Sequence, residues 1–179
     1  MDDHDARFLF LWIAFNAAYA DEGEFQGMAP GERATFADFF GKVVALDAEQ
    51  RIYKAIWQSF SGPIRMLMQN RYVFNPFWQY HNGIAGFEDW EARFAASARS
   101  FSLSLQTQNS ARILSFVFDR LYVLRNQLVH GGSTWNSTVN RDQMRVGAAI
   151  LGFLMPVFVD VMMDNPQEDW GRPFYPVVE

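Results

Sequence analysis

The sequence predicts an all-α fold, an antiparallel helical bundle with accessory helices and one irregular, aromatic-rich loop. Half of the 179 residues are apolar and 17% are aromatic, which is enough for a sizeable core. Apolar side chains recur every three or four residues along most of the chain, as on the buried face of a helix. With no internal repeat or linker, we expect one domain over residues 1–179, with its bundle at about 5–165 and an irregular tail at 166–179.

The first predicted helix runs from about Arg7 to Tyr19. Asp3 or Asp5 can cap it, because a carboxylate at a helix start accepts a backbone hydrogen bond. Its wide apolar face consists of Phe8, Leu11, Trp12, Phe15 and Tyr19. Asn16 lies inside this helix, and a buried asparagine needs partners. Two roles stay open for Asn16: a bond to a neighbouring helix, or support for the polar motif described below.

Two further helices follow in the first half of the chain. One runs from about Pro30 to Leu46, because proline suits a first helical turn. The next is capped by Asp47, and the pair Gly62–Pro63 interrupts or ends it before residues 64–68.

Residues 70–86 carry many aromatic side chains and are predicted to be irregular. Such a segment can cover the core, or it can offer rings on which nucleic-acid bases stack. Helical spacing returns at about Phe87–Gln106 and at Ser110–His130, where Asn109 is the expected cap.

The longest apolar run, 146–163, lies in the last predicted helix, at about Val139–Met163. It is interrupted by Gly147, Gly152, Pro156 and Asp160. We therefore expect a buried core helix kinked at Pro156, ended by Asn165 and Pro166, and not a membrane span.

Charge and composition limit the functions that the chain can have. The net charge is −5, so no strongly basic face for nucleic acid is visible, but 13 of the 15 basic residues are arginine, which suits local phosphate sites. The absence of cysteine excludes disulfides and thiolate metal sites, and with three scattered histidines we expect no metal or other cofactor. There is no P-loop, zinc-protease pattern or nucleophile elbow. The acidic N-terminus does not resemble a signal peptide, so we expect a cytoplasmic protein.

The end of the helix at Ser110–His130 concentrates the polar chemistry. Arg125 can hold a phosphate, and His130 can move a proton near neutral pH, so the pair suggests phosphodiester chemistry. The steps of three and four residues place a second, polar stripe on one helix face, formed by Asp119, Tyr122, Asn126 and His130. Two glycines, Gly131 and Gly132, can end the helix and leave its exit open. The helix dipole alone also favours a histidine here, and a solvated face explains the arginine, so spacing alone does not decide.

Two segments resemble the HEPN superfamily, the higher eukaryotes and prokaryotes nucleotide-binding domains. Residues 121–131 resemble its signature, an arginine with a polar residue after it and a histidine shortly beyond; here these are Arg125, Asn126 and His130. Residues 8–19 are similar to the opening helix of bacterial HEPN-like proteins. The segments lie at opposite ends of the chain, so the resemblance covers most of it.

The resemblance implies a bundle that forms a homodimer through the motif helix, with one cleft shared by two protomers. Many members are metal-independent endoribonucleases, with possible roles in bacterial defence or toxin–antitoxin systems and with an antitoxin as partner. It implies that His130 moves the proton of the RNA 2′-hydroxyl or of the leaving 5′-oxygen, giving a 2′,3′-cyclic phosphate. Arg125 would stabilise the phosphate, Asn126 would orient His130 or bond the phosphate, and Asp119 and Tyr122 would support them.

Other family members are catalytically silent and bind a nucleotide or a protein partner, which is the alternative function. The acidic net charge favours this alternative, because nonspecific RNA affinity comes mostly from basic residues. The intact triplet of Arg125, Asn126 and His130 favours the enzyme. Burial of His130 beneath the aromatic segment would favour the silent module, and a solvent-open site would favour the enzyme.

Overall fold

The computed structural model describes residues 3–19, 32–130 and 141–171, apart from the side chains of residues 32–35. These ranges are all-α and contain no β-strand, which confirms the prediction of an all-α protein. Their eight α-helices are α1 (His4–Tyr19), α2 (Glu32–Leu46), α3 (Arg51–Lys54), α4 (Ser61–Gln69), α5 (Asn75–His81), α6 (Trp90–Gln106), α7 (Ser110–Val129) and α8 (Arg141–Asp164). A π-helical segment, Ala55–Ser59, follows α3, and a 3-10 turn, Arg71–Val73, precedes α5.

Polar side chains cap the N-terminal ends of three of these helices. Asp3, Asp47 and Asn109 each accept hydrogen bonds from backbone N–H groups near the starts of α1, α3 and α7, at 2.7–3.1 Å. Asp5, the other cap considered for α1, has a different role. It is buried and accepts bonds from both terminal nitrogens of Arg141, at 2.9 and 3.2 Å. This ion pair joins the N-terminal ends of α1 and α8.

The core is aromatic and lies among α1, α2, α7 and α8. The ring of Phe15 on α1 lies 4.3 Å from Phe118 on α7, 6.0 Å from Phe40 on α2 and 6.5 Å from Phe158 on α8. All four rings are fully buried. We call them the dry aromatic core. Burial of each such ring stabilises the fold by roughly 1.5–3 kcal/mol.

Helices α1 and α8 lie side by side and point the same way, so this pair departs from the antiparallel arrangement that the sequence predicted. Asp5 meets Arg141 near their starts, and Phe15 meets Phe158 further along both helices. Gly147 lets α8 approach both α1 and α7 closely, because a Cβ at this position would lie 3.0 Å from the ring of Phe8 and 3.1 Å from a methyl carbon of Leu121.

The prediction of an irregular segment at 70–86 is wrong for most of its length. It holds the 3-10 turn, capped by the Asn70 side chain, and then α5, with Pro76 in the first turn. Helix α5 was not predicted because it buries only Phe77, so its many aromatic residues show no periodic buried face. The segment covers the core through Val73, which is part of the buried core, whereas Phe77 is buried against Trp90 of α6. Helix α6 also begins later than expected, at Trp90 and not at Phe87.

Helix α8 continues through Pro156, which lies on its exposed face. By length and composition alone α8 could cross a membrane, but half of its most apolar stretch is buried inside the fold. The expectation of a core helix therefore agrees with the packing of the described residues. Several predicted features lie outside the described residues. They are the helix starts at Pro30 and Val139, the glycines at 131 and 132, and the tail beyond 171.

Candidate functional site at the end of α7

Helix α7 positions every residue of the predicted motif. Its apolar stripe packs into the core as expected, with full burial of Ile113, Val117, Leu121 and Leu124. Leu128, the last residue of that stripe, is only half-buried. The helix therefore leaves the core in its last turn, and the motif residues lie on the part that emerges.

Arg125, Asn126 and His130 lie together at this end. The Arg125 guanidinium donates a hydrogen bond from Nη1 to Oδ1 of Asn126, at 2.9 Å, and both residues are half-buried. His130 follows as the C-cap residue, with its backbone N–H bonded to the Asn126 carbonyl at 2.9 Å and its side chain exposed to solvent. The bond from Arg125 fixes which side of the Asn126 amide accepts, so its NH₂ group is left as a donor.

The motif end of α7 is tied to the aromatic segment by Gln127, which sequence reasoning missed. Gln127 Nε2 donates to the backbone carbonyl of Tyr72 at 2.7 Å, and the indole N–H of Trp78 donates to the same oxygen at 2.7 Å. The acceptor is a backbone carbonyl 55 residues away in the sequence, so no pattern of side chains could predict this hydrogen bond. The aromatic segment thus braces the last turn of α7 and leaves His130 exposed.

Asp119 and Tyr122 lie on the same helix face, two to three turns before His130, and line a cleft between α6 and α7. We call it the Asp119 cleft. Its volume is about 670 Å³. Its described lining residues are Phe36, Phe74, Asn75, Pro76, Phe87, Arg93, Ser97, Asp119, Tyr122 and Val123. The structure therefore places one half of the predicted polar stripe, Asp119 and Tyr122, in a cleft and the other half, Asn126 and His130, at the emerging end of α7.

Arg120 is the second residue that sequence reasoning missed. Only 3% of it is exposed, and its guanidinium lies 4.4 Å from the ring centre of Phe74 and 5.5 Å from that of Phe94. Its Nη2 also lies 3.3 Å from the hydroxyl oxygen of Ser97. A buried arginine beside two rings is a cation–π arrangement, and one of these rings, Phe74, lines the Asp119 cleft.

Asn16 is half-buried, and its buried Oδ1 accepts no hydrogen bond from the described residues. It lies one turn beyond Trp12, whose ring is 6.1 Å from Tyr122 and 6.2 Å from Phe118. No described hydrogen bond joins Asn16 to Arg125 or His130.

In the described part of the chain, no three acidic or histidine side chains come together in a way that could hold a metal ion. The chain is a helical-bundle protein with an arginine–amide–histidine group at the end of its central helix. Comparisons with protein-family models, curated proteins and solved structures found no match.

Proposed function

We propose that the protein is a metal-independent endoribonuclease of HEPN type, in a HEPN-like bundle that works as a homodimer. The observation that carries the proposal is the end of α7, where an exposed His130 lies one turn after an Asn126 that is bonded to Arg125. The site is open to solvent, as the enzyme requires, and it is not covered by the aromatic segment.

The chemistry follows from the donors and acceptors at this end. His130 removes the proton of the ribose 2′-hydroxyl, or gives one to the leaving 5′-oxygen, since imidazole can do either near neutral pH. Arg125 and the NH₂ group of Asn126 donate to the phosphate oxygens on which charge builds up. The 2′-oxygen attacks the adjacent phosphorus, the bond to the 5′-oxygen breaks, and the products are a 2′,3′-cyclic phosphate and a 5′-hydroxyl.

A homodimer completes this mechanism. One protomer contributes one motif histidine, whereas the reaction needs both a base and an acid, so the second group comes from His130 of a second copy. An exposed Val129 beside His130, with 47% of its surface accessible, gives the same end of α7 an apolar contact. We place the protein in the cytoplasm, in bacterial defence or a toxin–antitoxin pair.

The test is cleavage of RNA by the purified protein in excess EDTA, with product ends identified by mass. We expect cleavage, a loss of at least about a hundredfold for His130→Ala, and a comparable loss for Arg125→Ala. His81→Ala is the matched control, because His81 is also exposed but lies on α5 against Phe77. Equal cleavage by wild type and His130→Ala would contradict the proposed catalytic role of His130. A protein that is strictly monomeric in light scattering would contradict the shared cleft.

The second candidate is a catalytically silent helical module that binds a nucleotide or a protein partner. The net charge of −5 supports it, because it weakens nonspecific attraction to RNA. Binding of RNA or of a protein without any cleavage, unchanged in His130→Ala, would favour this function over the enzyme.

A further inference from the structure

A groove between α4 and α6 follows one face of α6 for most of its length. Two cavities of about 430 and 470 Å³ make up this groove, and they meet at Gln69 and Phe94, which line both. Its α6 wall is a single helical stripe formed by Trp90, Phe94, Ala98, Phe101 and Leu105. The stripe rises by about 22 Å, so the groove is long enough for an extended chain. We call it the α4–α6 groove.

One end of the α4–α6 groove lies against the last turn of α7. Tyr72 lines this end, and its backbone carbonyl accepts the hydrogen bond from Gln127 at 2.7 Å. Gln127 precedes His130 by three residues, so the two side chains are neighbours on the surface of the helix. A strand whose scissile phosphate is held at Arg125 and His130 therefore has the mouth of the groove beside it.

Two arginines line the groove and are available to bind phosphate. Arg65 on α4 and Arg71 in the 3-10 turn are both exposed, and neither forms an ion pair with a described residue. The guanidinium of Arg71 donates to the hydroxyl oxygen of Tyr72 at 3.2 Å, which holds it in place and uses one of its five donors. The described lining contains one carboxylate, Glu91, so its local charge is positive although the whole chain is acidic.

The rest of the lining suits a single strand of nucleic acid. Proteins that bind such strands without sequence preference combine cations along the backbone with apolar and aromatic surface for the bases. Phe94 and Leu105 are half-buried and provide apolar surface, and Gln69 and Gln106 carry amides that both donate and accept, so they select no particular base. A duplex keeps its bases paired inside and offers this apolar surface nothing to contact.

We propose that the α4–α6 groove binds the single-stranded RNA that extends from the scissile phosphate, through its phosphates and without regard to sequence. The unpaired cations favour an anionic strand over a peptide. This inference rests on the proposed ribonuclease function and names the form of its substrate, a single strand that continues beyond the cleaved bond.

The first test measures binding without cleavage, with the full chain. The probe is a single-stranded dodecamer of 2′-O-methyl RNA, whose blocked 2′-oxygen cannot attack the phosphorus. In fluorescence anisotropy we expect Arg65→Gln and Arg71→Gln each to weaken binding about threefold to tenfold, and each to lower the slope of log affinity against log salt by about 0.7. Arg99→Gln is the matched control, because Arg99 is an exposed arginine of α6 that does not line the groove.

Arg99→Gln should change affinity and slope much less than the groove variants do. Equal losses in all three variants would reveal only a diffuse effect of charge and would overturn the groove. Unchanged binding in both groove variants would overturn it as well, and so would tighter binding of an RNA duplex of the same length.

Cleavage then tests the link between the groove and the active site. With an RNA dodecamer, Arg65→Gln should raise KM about threefold to tenfold and leave kcat unchanged, because Arg65 binds the strand away from the reacting phosphate. A dinucleotide does not reach Arg65, so the same variant should cleave it as the wild type does. An equal loss on both substrates would contradict a strand that runs along the groove.

The two proposals fail in different ways. Binding of the dodecamer through Arg65 and Arg71 in a protein that cleaves no RNA would overturn the ribonuclease and support the groove alone. Cleavage that His130→Ala abolishes, but that both groove variants carry out at the KM of the wild type, would overturn the groove and leave the ribonuclease.

Discussion

Two groups of phenylalanine rings flank α7, and they are built differently. On one side, the dry aromatic core packs ring against ring with no exposed surface, as between Phe15 and Phe118 at 4.3 Å. On the other side, Phe74, Phe87 and Phe94 are half-buried and alternate with the guanidinium groups of Arg93 and Arg120. The same residue type seals the fold on one side and lines an accessible cleft on the other. The interleaved polar groups make the difference.

The difference in packing between the two sides of α7 is tested most directly by removing one ring from each side. Phe118→Ala should cost about 3 to 5 kcal/mol of unfolding free energy, because it leaves a cavity among rings that cannot rearrange. Phe87→Ala, in the half-buried group, should cost only about 1 kcal/mol, because water already reaches the ring. Urea denaturation followed by circular dichroism measures both. Similar losses for the two variants would show that the cleft side is packed as tightly as the core.

A second prediction concerns two glycines of α8. Gly147→Ala should lower the free energy of unfolding by about 1 to 3 kcal/mol. The added methyl group meets two buried side chains, the ring of Phe8 at 3.0 Å and a methyl carbon of Leu121 at 3.1 Å. Gly152→Ala is the matched change on the same helix, where the nearest group is the flexible end of Arg7.

Gly152→Ala should be neutral or stabilise by up to about 1 kcal/mol, because alanine favours the helix more than glycine does and the arginine can move aside. Thermal unfolding distinguishes the two. A destabilised Gly152→Ala, or a tolerated Gly147→Ala, would contradict the described packing of α1 against α8.

The smallest expected effect concerns the cation on the cleft side. Arg120→Lys keeps the charge but replaces a flat guanidinium between two rings with a compact ammonium, so we expect a loss of about 1 to 2 kcal/mol. Arg99→Lys, an exposed arginine on α6, is the control and should change stability by less than about 0.5 kcal/mol. No loss in Arg120→Lys would show that the ring contacts of this residue contribute nothing to stability.

The sequence predicted the side of α7 that faces the dry core better than the side that faces the cleft. The stripe of Ile113, Val117, Leu121 and Leu124 is buried as expected, because its spacing is a local property of the chain. The burial of Arg120 was not predictable, since it depends on rings that α5 and α6 bring from far away in the sequence. The proximity of Arg125, Asn126 and His130 on α7 followed from their order in the sequence, but the hydrogen bond between Arg125 and Asn126 did not.

The backbone carbonyl of Tyr72 fixes the last turn of α7 through its hydrogen bond with Gln127. Helix ends ordinarily fray, and a side chain on a last turn samples many positions. Here both lone pairs of one peptide oxygen are engaged, one by Gln127 of α7 and one by Trp78 of α5. Local opening of the last turn of α7 therefore has to break a contact with the 3-10 turn before α5, which raises its free-energy cost. The imidazole of His130 is thus held on a preorganised support while its ring remains in water.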